Sequence, residues 1–228
     1  MSKAVVLLSG GLDSSTAAAI ARSEGYDLSA LSLEYGQSHS RELTSAKAVA
    51  KRLHIPEHIV LPVNLSSIAA SALTSDIEIP LDRDIDLDHP DIPVTYVPGR
   101  NLVFLSLAVS YAESIGAADI FIGVSQVDYS GYPDCREEFV RSFENTANLA
   151  TRAGTEGTNP FRIHAPLINT SKSDTIRRGL ELGLDYSLTW SCYQGGEYAC
   201  GRCDSCKLRL AAFAELGVSD PLKYIDQH

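Results

Sequence analysis

Short apolar runs alternate with amphipathic segments along the first sixty residues. Apolar runs bounded by glycine, proline or polar residues predict buried strands over residues 4–8, 28–33 and 58–63. The segments between them, residues 14–23 and 41–53, are rich in alanine and have good helix propensity. The order strand, helix, strand, helix, strand is typical of a doubly wound α/β fold.

The rest of the chain repeats this pattern less regularly. It predicts strands over residues 119–123 and 162–165 and helices over residues 101–115, 136–151, 171–182 and 204–216. Residues 81–93 contain many aspartates and two prolines, which predicts an exposed loop. We therefore expect an α/β protein with a doubly wound, mostly parallel sheet and helices on both faces.

The composition narrows the class of protein. The 228 residues include 29 acidic and 19 basic residues, so the formal net charge is −10. A chain this acidic is a poor candidate for binding a nucleic acid, because phosphate binding needs a positive surface. No apolar run approaches the roughly 20 residues of a membrane span, and the N-terminus has no signal-peptide pattern. We expect a cytoplasmic protein that binds neither nucleic acid nor membrane.

A glycine-rich turn follows the first predicted strand. Residues 9–15 read SGGLDSS, so two glycines and three serines precede a predicted helix. The free N–H groups of a helix N-terminus, with serine hydroxyls beside them, form a cradle suited to phosphate. The spacing is that of neither a Walker A loop nor a dinucleotide-binding motif. Asp13 inside the cradle suggests Mg²⁺ carried by a nucleotide. The alternative is an ordinary tight turn between strand and helix.

Four of the five cysteines lie within fifteen residues near the C-terminus. Cys192, Cys200, Cys203 and Cys206 have the spacing C-x7-C-x2-C-x2-C, which fits one tetrahedral Zn²⁺ with no open position. The predicted role of the zinc is therefore structural. An iron–sulfur cluster and a set of unligated thiols are the alternatives. We expect residues 1–185 to form the α/β domain and residues 186–228 a zinc-binding segment packed on it.

The fifth cysteine stands alone in the sequence Tyr-Pro-Asp-Cys-Arg. Arg136 follows Cys135 directly, and a neighbouring cation lowers the pKa of a thiol. A half-buried thiol at the start of a helix is the alternative interpretation.

The glycine-rich loop resembles the PP-loop of the ATP pyrophosphatases, which split ATP into AMP and pyrophosphate. Together with Tyr-Gly-Gln-x-His at residues 35–39, the Tyr-Pro-Asp-Cys-Arg sequence at residues 132–136 and the four-cysteine tail, the whole chain resembles the 7-cyano-7-deazaguanine synthase family of queuosine precursor biosynthesis. This resemblance implies a homodimer that converts 7-carboxy-7-deazaguanine, ammonia and ATP into a nitrile. The reaction proceeds by two successive adenylations through an amide intermediate.

The resemblance also implies roles for individual residues. The implied ATP-binding residues are Leu8, Ser9, Gly10, Gly11, Leu12, Asp13, Ser14, Ser15, Thr16, Ala17 and Ala18. Asp13, Lys172 and Arg100 are the candidate catalytic residues. Lys172 would neutralise phosphate charge, and Arg100 would bind the substrate carboxylate. The candidate substrate-binding residues are Tyr35, Gln37, His39, Gln126, Tyr132 and Asp134.

Two other functions stay open on the sequence alone. One is another PP-loop adenylating enzyme such as a tRNA sulfurtransferase, which needs a reactive thiol outside the metal site and a basic face. The other is a zinc module that binds a nucleotide without turning it over.

Overall fold

The structure is a computed structural model that describes residues 1–84, 92–127 and 132–225. Most of the loop predicted over residues 81–93 therefore lies outside the described residues. Among the described helices, none is long and apolar enough to cross a membrane.

One parallel sheet of five strands forms the centre of the fold. The strands are β1 (Lys3–Leu7), β2 (Asp27–Glu34), β3 (Glu57–Pro62), β4 (Asp119–Phe121) and β5 (Arg162–His164). Their order in the sheet is β3-β2-β1-β4-β5, and each neighbouring pair is parallel. The predicted doubly wound α/β fold is confirmed, and within the described residues the sheet is parallel throughout.

Seven helices accompany the strands in the described residues. They are α1 (Leu12–Ser23), α2 (Arg41–Arg52), α3 (Arg100–Ile115), α4 (Glu137–Ala150), α5 (Arg152–Thr155), α6 (Lys172–Glu181) and α7 (Asp204–Glu215). The predicted helices begin and end within two residues of these bounds, and only the four-residue α5 was not predicted. Ser171 caps α6, because its side chain accepts a hydrogen bond from the backbone N–H of Asp174.

Alternate residues of β1 face two separate hydrophobic cores. Ala4 and Val6 pack with α1, α2, α6 and α7 on one side of the sheet. Val5 and Leu7 pack with α3 and α4 on the other side. Burial on both faces explains why the strand is an uninterrupted apolar run in the sequence.

The order of the strands also indicates where a ligand binds. β1 lies between β2 and β4, so the connections from the centre of the sheet go in opposite directions. A crevice opens at such a switch point, at the carboxyl ends of the strands. The SGGLDSS loop follows β1 directly and therefore lies at this crevice.

A buried arginine links α7 to the stretches of chain before and after it, all within residues 186–228. Arg209 of α7 is 1% exposed, and its Nε and Nη2 atoms lie 2.7 and 2.9 Å from the two oxygens of Asp220. The same guanidinium donates to the hydroxyl of Thr189 at 2.7 Å and to the carbonyl of Tyr186 at 3.0 Å. The buried charges of this cluster are thus paired and hydrogen-bonded.

We predict that Arg209→Met destabilises the fold by about 3–5 kcal/mol, because the carboxylate of Asp220 stays buried without its cation. Chemical or thermal unfolding of the purified variant measures this change. Adding Asp220→Leu should restore part of the loss, since no unpaired charge is then buried. Arg152→Met removes an exposed ion pair with Glu156 and should change the stability little. Wild-type stability of Arg209→Met would contradict the assignment.

Candidate active site and metal centre

The SGGLDSS loop is held by hydrogen bonds among its own serines. Ser9 Oγ accepts from the N–H of Gly11 at 3.2 Å and lies 2.9 Å from Ser14 Oγ. Gly11 stands at the cap position of α1 and supplies no side-chain hydrogen bond to it. The first N–H groups of α1 therefore receive no side-chain hydrogen bond from Gly11. An anion-binding helix N-terminus requires such uncapped N–H groups.

Two glycines allow neighbouring backbones to approach the loop. Gly10 has φ +86°, and a Cβ there would lie 2.2 Å from the carbonyl oxygen of Glu42 on α2. Gly123, just after β4, lies under the start of α1, where a Cβ would come within 2.6 Å of the backbone of Ser14. The sequence analysis gave no role to Gly123, because its contact with α1 spans more than a hundred residues.

Asp13 and Lys172 meet at the entrance to α1. Nζ of Lys172 lies 2.8 Å from each carboxylate oxygen of Asp13, although 159 residues separate the two in sequence. Lys172 is the first residue of α6, which packs beside α1. The structure thus brings two of the three candidate catalytic residues into one ion pair beside the phosphate cradle.

A cavity of about 270 Å³ opens beside the loop. Part of the loop forms its wall, namely Leu8, Ser9, Gly11, Leu12, Asp13 and Ser14. The remaining predicted ATP-binding residues, Gly10, Ser15, Thr16, Ala17 and Ala18, are not among the residues that line it. The last three are buried in α1, where the hydroxyl of Thr16 lies 2.8 Å from that of Tyr186. Their position indicates a role in packing α1.

Arg100 and three predicted substrate residues form another part of the wall. Arg100 lies over the ring of Tyr35, with Nη1 3.5 Å from the hydroxyl oxygen. Burial raises the pKa of Tyr35 to about 12, so its hydroxyl stays protonated. Gln37 accepts a hydrogen bond from the N–H of Tyr35 at 2.8 Å, and Tyr132 stacks on Tyr96. These aromatic rings could flank a planar ring.

Asp134 has a different position from the one predicted. Its carboxylate accepts a hydrogen bond from the N–H of Asn101 at 2.8 Å, at the start of α3. The amide of Asn101 in turn donates to the carbonyl of Asp134 at 3.2 Å. Asp134 is buried and does not line the cavity, so the structure places it as a helix cap rather than against a substrate base.

Gln126 and His39 also point to protein partners instead of the cavity. The side-chain oxygen of Gln126 accepts from the N–H of Glu137 at 3.2 Å, and its nitrogen donates to Asn169 at 2.7 Å. His39 packs against Gly195 in the cysteine segment. Neither residue lines the cavity. Both side chains connect loops, a role that the local sequence does not distinguish from substrate binding.

Glu42, in the first turn of α2, is a cavity residue that the sequence analysis missed. Its side chain lines the cavity and is half-buried. Burial raises the pKa of Glu42 to about 7; Arg100 acts against this rise and Cys192 adds to it. Glu42 lies three positions after His39, the last residue of the Tyr-Gly-Gln-x-His motif. An acidic residue in a first helical turn is common, so the sequence offered no reason to select it.

Of the two interpretations of Cys135, the structure favours the packed thiol over a thiol activated by Arg136. The thiol is buried, and its burial raises the pKa of Cys135 to about 12, with Asp134 acting in the same direction. The amide of Asn101 donates to Sγ at 3.3 Å. Arg136 is exposed, so the thiol is a packed cavity-wall group with almost no thiolate at neutral pH.

The four C-terminal cysteines converge as predicted. Cys192, Cys200, Cys203 and Cys206 are all buried, and their sulfur atoms lie within 4.8 Å of one another. The sulfurs of Cys200 and Cys206 are 3.9 Å apart. Thiolates on one Zn²⁺, at Zn–S distances of about 2.3 Å, stand roughly 3.8 Å apart in a tetrahedron. The donor set therefore fits a tetrahedral metal ion.

Backbone N–H groups surround these sulfurs. Sγ of Cys192 accepts from the N–H groups of Gln194 and Cys200 at 3.4 and 3.3 Å, and Sγ of Cys200 accepts from those of Arg202 and Cys203. Hydrogen bonds from Cys203 and then Cys206 hold the pKa of the Cys192 thiol far below its usual range. These hydrogen bonds favour the thiolate form of Cys192, the form that binds a metal.

The basic residues near the cysteine cluster have acidic or carbonyl partners. Arg202 pairs with Asp82, and Lys207 donates to the carbonyl of Arg83. Arg209 pairs with Asp220. These contacts fasten the cysteine segment to its surroundings.

The cysteine segment completes the cavity. The N–H of Trp190 donates to the carbonyl of Gly10 in the loop at 2.9 Å. Trp190, Ser191 and Tyr193 all line the cavity. The position of the metal cluster is thus coupled to the position of the loop through one short stretch of chain.

Comparison with known proteins gives one family over almost the whole chain. The family model described as "Queuosine biosynthesis protein QueC" matches residues 3–217. A protein of Solidesulfovibrio magneticus named 7-cyano-7-deazaguanine synthase is 55% identical, over 97% of this chain and 95% of its own. A protein of the same name from Stutzerimonas stutzeri is 57% identical, over 97% of this chain and 98% of its own.

A solved structure from Methanocaldococcus jannaschii, described as a predicted subunit of tRNA methyltransferase, has the same fold. It is 19% identical, with a TM-score of 0.50, and the match covers 100% of this chain and 94% of that one. At this identity the likeness supports the fold alone.

We predict that purified protein contains about one zinc per chain. Elemental analysis measures it, and Cys200→Ser should lower the zinc content and the melting temperature together, because structural zinc contributes to folding. Cys135→Ser, outside the cluster, should leave the zinc content unchanged. Iron with acid-labile sulfide in place of zinc would show that the cluster is of the other type.

Proposed function

The chain belongs to the QueC family of queuosine biosynthesis proteins, and from this membership we propose that it is an ATP-dependent 7-cyano-7-deazaguanine synthase. Its substrates are then 7-carboxy-7-deazaguanine, ammonia and ATP. The observation that carries this proposal is the arrangement of the cavity, which is lined by the SGGLDSS loop, the Asp13–Lys172 pair and Arg100. A homodimer and a cytoplasmic location stay predictions from the resemblance.

The proposed reaction activates the same carbon twice. A carboxylate oxygen attacks the α-phosphorus of ATP, and pyrophosphate leaves with the electrons of the broken P–O bond. Ammonia attacks the acyl carbon, and AMP leaves to give a primary amide. The amide oxygen then attacks a second ATP, and loss of AMP and of the nitrogen's protons forms the nitrile. Adenylation is needed both times because the oxygen alone is a poor leaving group.

The loop supports binding of the triphosphate. The N-terminal N–H groups of α1 and the hydroxyls of Ser9 and Ser14 would donate to phosphate oxygens. Asp13 offers the carboxylate that suits Mg²⁺, and bound Mg²⁺ neutralises charge on the departing pyrophosphate. Lys172, which pairs with Asp13 in the structure, is then placed to contact the phosphates.

Arg100 supports binding of the organic substrate. A guanidinium binds a carboxylate through two parallel hydrogen bonds, and Arg100 is held in the wall by Tyr35. The rings of Tyr35 and Tyr132 provide flat apolar surface for a deazaguanine ring.

The sulfurtransferase alternative has less support. It needs a reactive thiol outside the metal cluster, and Cys135 is the one cysteine left by the count of five. Burial raises the pKa of Cys135 to about 12, which opposes a nucleophilic role at neutral pH.

We predict that the amide is a competent intermediate. Supplied 7-amido-7-deazaguanine should give the nitrile with ATP and Mg²⁺ in the absence of ammonia, consuming one ATP per nitrile. The carboxylate should consume two, because the described residues contain one SGGLDSS cradle that must serve both activations in turn. Chromatography with AMP counted against nitrile measures both ratios. An inert amide would overturn the two-step route.

We also predict that Asp13→Asn lowers pyrophosphate release by about 100-fold or more, because the variant keeps the side-chain shape but loses the charge that suits Mg²⁺. The circular dichroism spectrum should remain that of the wild type. Asp27→Asn, an exposed change at the opposite end of the sheet, is the matched control. Equal turnover in the two variants would refute the role of Asp13.

A further inference from the structure

Five charged side chains line the cavity, and three of them have a charged partner. These five are Asp13, Glu42, Arg100, Lys172 and Arg209. Asp13 pairs with Lys172, and Arg209 pairs with the buried Asp220. Arg100 and Glu42 do not form an ion pair with each other or with any other described residue. The cavity therefore presents one unpaired cation and one unpaired anion.

Glu42 is not explained by a structural role in its helix. It lies in the first turn of α2, where a glutamate often caps the backbone. Within residues 1–84, 92–127 and 132–225, its carboxylate makes no hydrogen bond to the backbone or to another side chain. The helix holds it firmly, since its carbonyl packs against Gly10 of the loop. A fixed carboxylate without a partner in a cavity wall is suited to a cationic ligand.

The two unpaired charges match the two reactants of the proposed reaction. The organic substrate carries a carboxylate, which suits Arg100. The nitrogen donor is ammonium at neutral pH, a cation without a lone pair, and it must lose a proton before it can attack carbon. Asp13 is not available for this task, because its oxygens contact Lys172 in the structure and would face Mg²⁺ in the proposed reaction.

We infer that the carboxylate of Glu42 binds ammonium and accepts its proton, which releases ammonia beside the adenylated carbon. This inference rests on the proposed function. One N–H proton moves to a Glu42 oxygen, and the nitrogen lone pair forms the C–N bond. The C–O bond to AMP breaks, and its electrons leave on the AMP phosphate. The new N–H₃⁺ group then gives a proton to solvent, and Glu42 gives up its own.

The groups facing Glu42 are consistent with this task. Arg100, Tyr35 and Cys192 interact electrostatically with Glu42; Arg100 and Tyr35 line the same cavity, and Cys192 belongs to the cysteine segment. Tyr35 stays protonated, so the charge that acts on Glu42 from the cavity lining is the guanidinium of Arg100. Arg100 favours the ionised carboxylate, and burial gives that carboxylate enough basicity to take a proton.

The test compares the two halves of the reaction in Glu42→Gln. With the carboxylate substrate, kcat/KM for ammonium should fall by about 100-fold or more, which is the usual contribution of a general base. Conversion of the amide to the nitrile needs no ammonium and should change by less than about threefold, because the nitrogen of an O-adenylated amide is positively charged and releases protons to water. Glu24→Gln, at the exposed end of α1, is the matched control.

A second measurement separates proton transfer from a structural effect. Hydroxylamine is largely neutral at pH 7 and needs no base, so wild type and Glu42→Gln should form the hydroxamate from the carboxylate substrate at similar rates. If Glu42→Gln loses both half-reactions equally, or keeps its ammonium dependence, the role of Glu42 is wrong while the proposed function stands. If the wild type converts neither substrate, the proposed function is wrong and the role of Glu42 falls with it.

Discussion

Three parts of the chain pack closely against the SGGLDSS loop and the start of α1, and at Gly10 and Gly123 an added Cβ would collide with neighbouring backbone. α2 lies against Gly10, the stretch after β4 lies under α1 at Gly123, and Trp190 donates to the carbonyl of Gly10. These contacts come from distant parts of the chain and converge at the centre of the sheet. The loop can therefore hold its N–H groups in place only when the sheet order, both glycines and the cysteine segment are correct. Such preorganisation is what a site for developing phosphate charge requires.

This packing also indicates what a metal ion held by the four cysteines would contribute. The segment from Trp190 to Tyr193 has little regular structure, yet it forms part of the cavity wall. A segment of this kind needs strong local constraints to stay ordered, and the four buried thiols beside it can provide them through one metal ion. The buried Arg209–Asp220 pair fixes the other side of the segment. The residues that stabilise this segment and the residues of the segment that line the cavity therefore lie within about thirty residues of the sequence.

The elements and the glycine-rich turn after β1 could be predicted from the sequence because their signals are local. Apolar runs, a Ser171 cap and glycine after strand β1 are each read within a few residues. The four cysteines were also recognisable as a possible metal site, since they lie within fifteen residues of the sequence. The roles of Asp134 and Gln126 could not be predicted, because their partners at Asn101 and Asn169 lie more than thirty residues away. The same residue types cap helices, connect loops and bind substrates, so residue type alone does not separate these roles.

Glu42 also could not be selected from the sequence, because a glutamate at the start of a helix is ordinary until its neighbours are known. What sets it apart is a comparison of charges across the cavity, where Asp13 and Arg209 are neutralised by partners that the sequence does not connect. In the proposed reaction two nucleotides bind in succession, and the Asp13–Lys172 pair then has a role between the two steps. Each departure of pyrophosphate would leave these two charges without their ligands, and their mutual contact at 2.8 Å offers both a partner until the next nucleotide binds. Repeated use of one cradle is therefore compatible with a charged, water-accessible site that does not lose its order between steps.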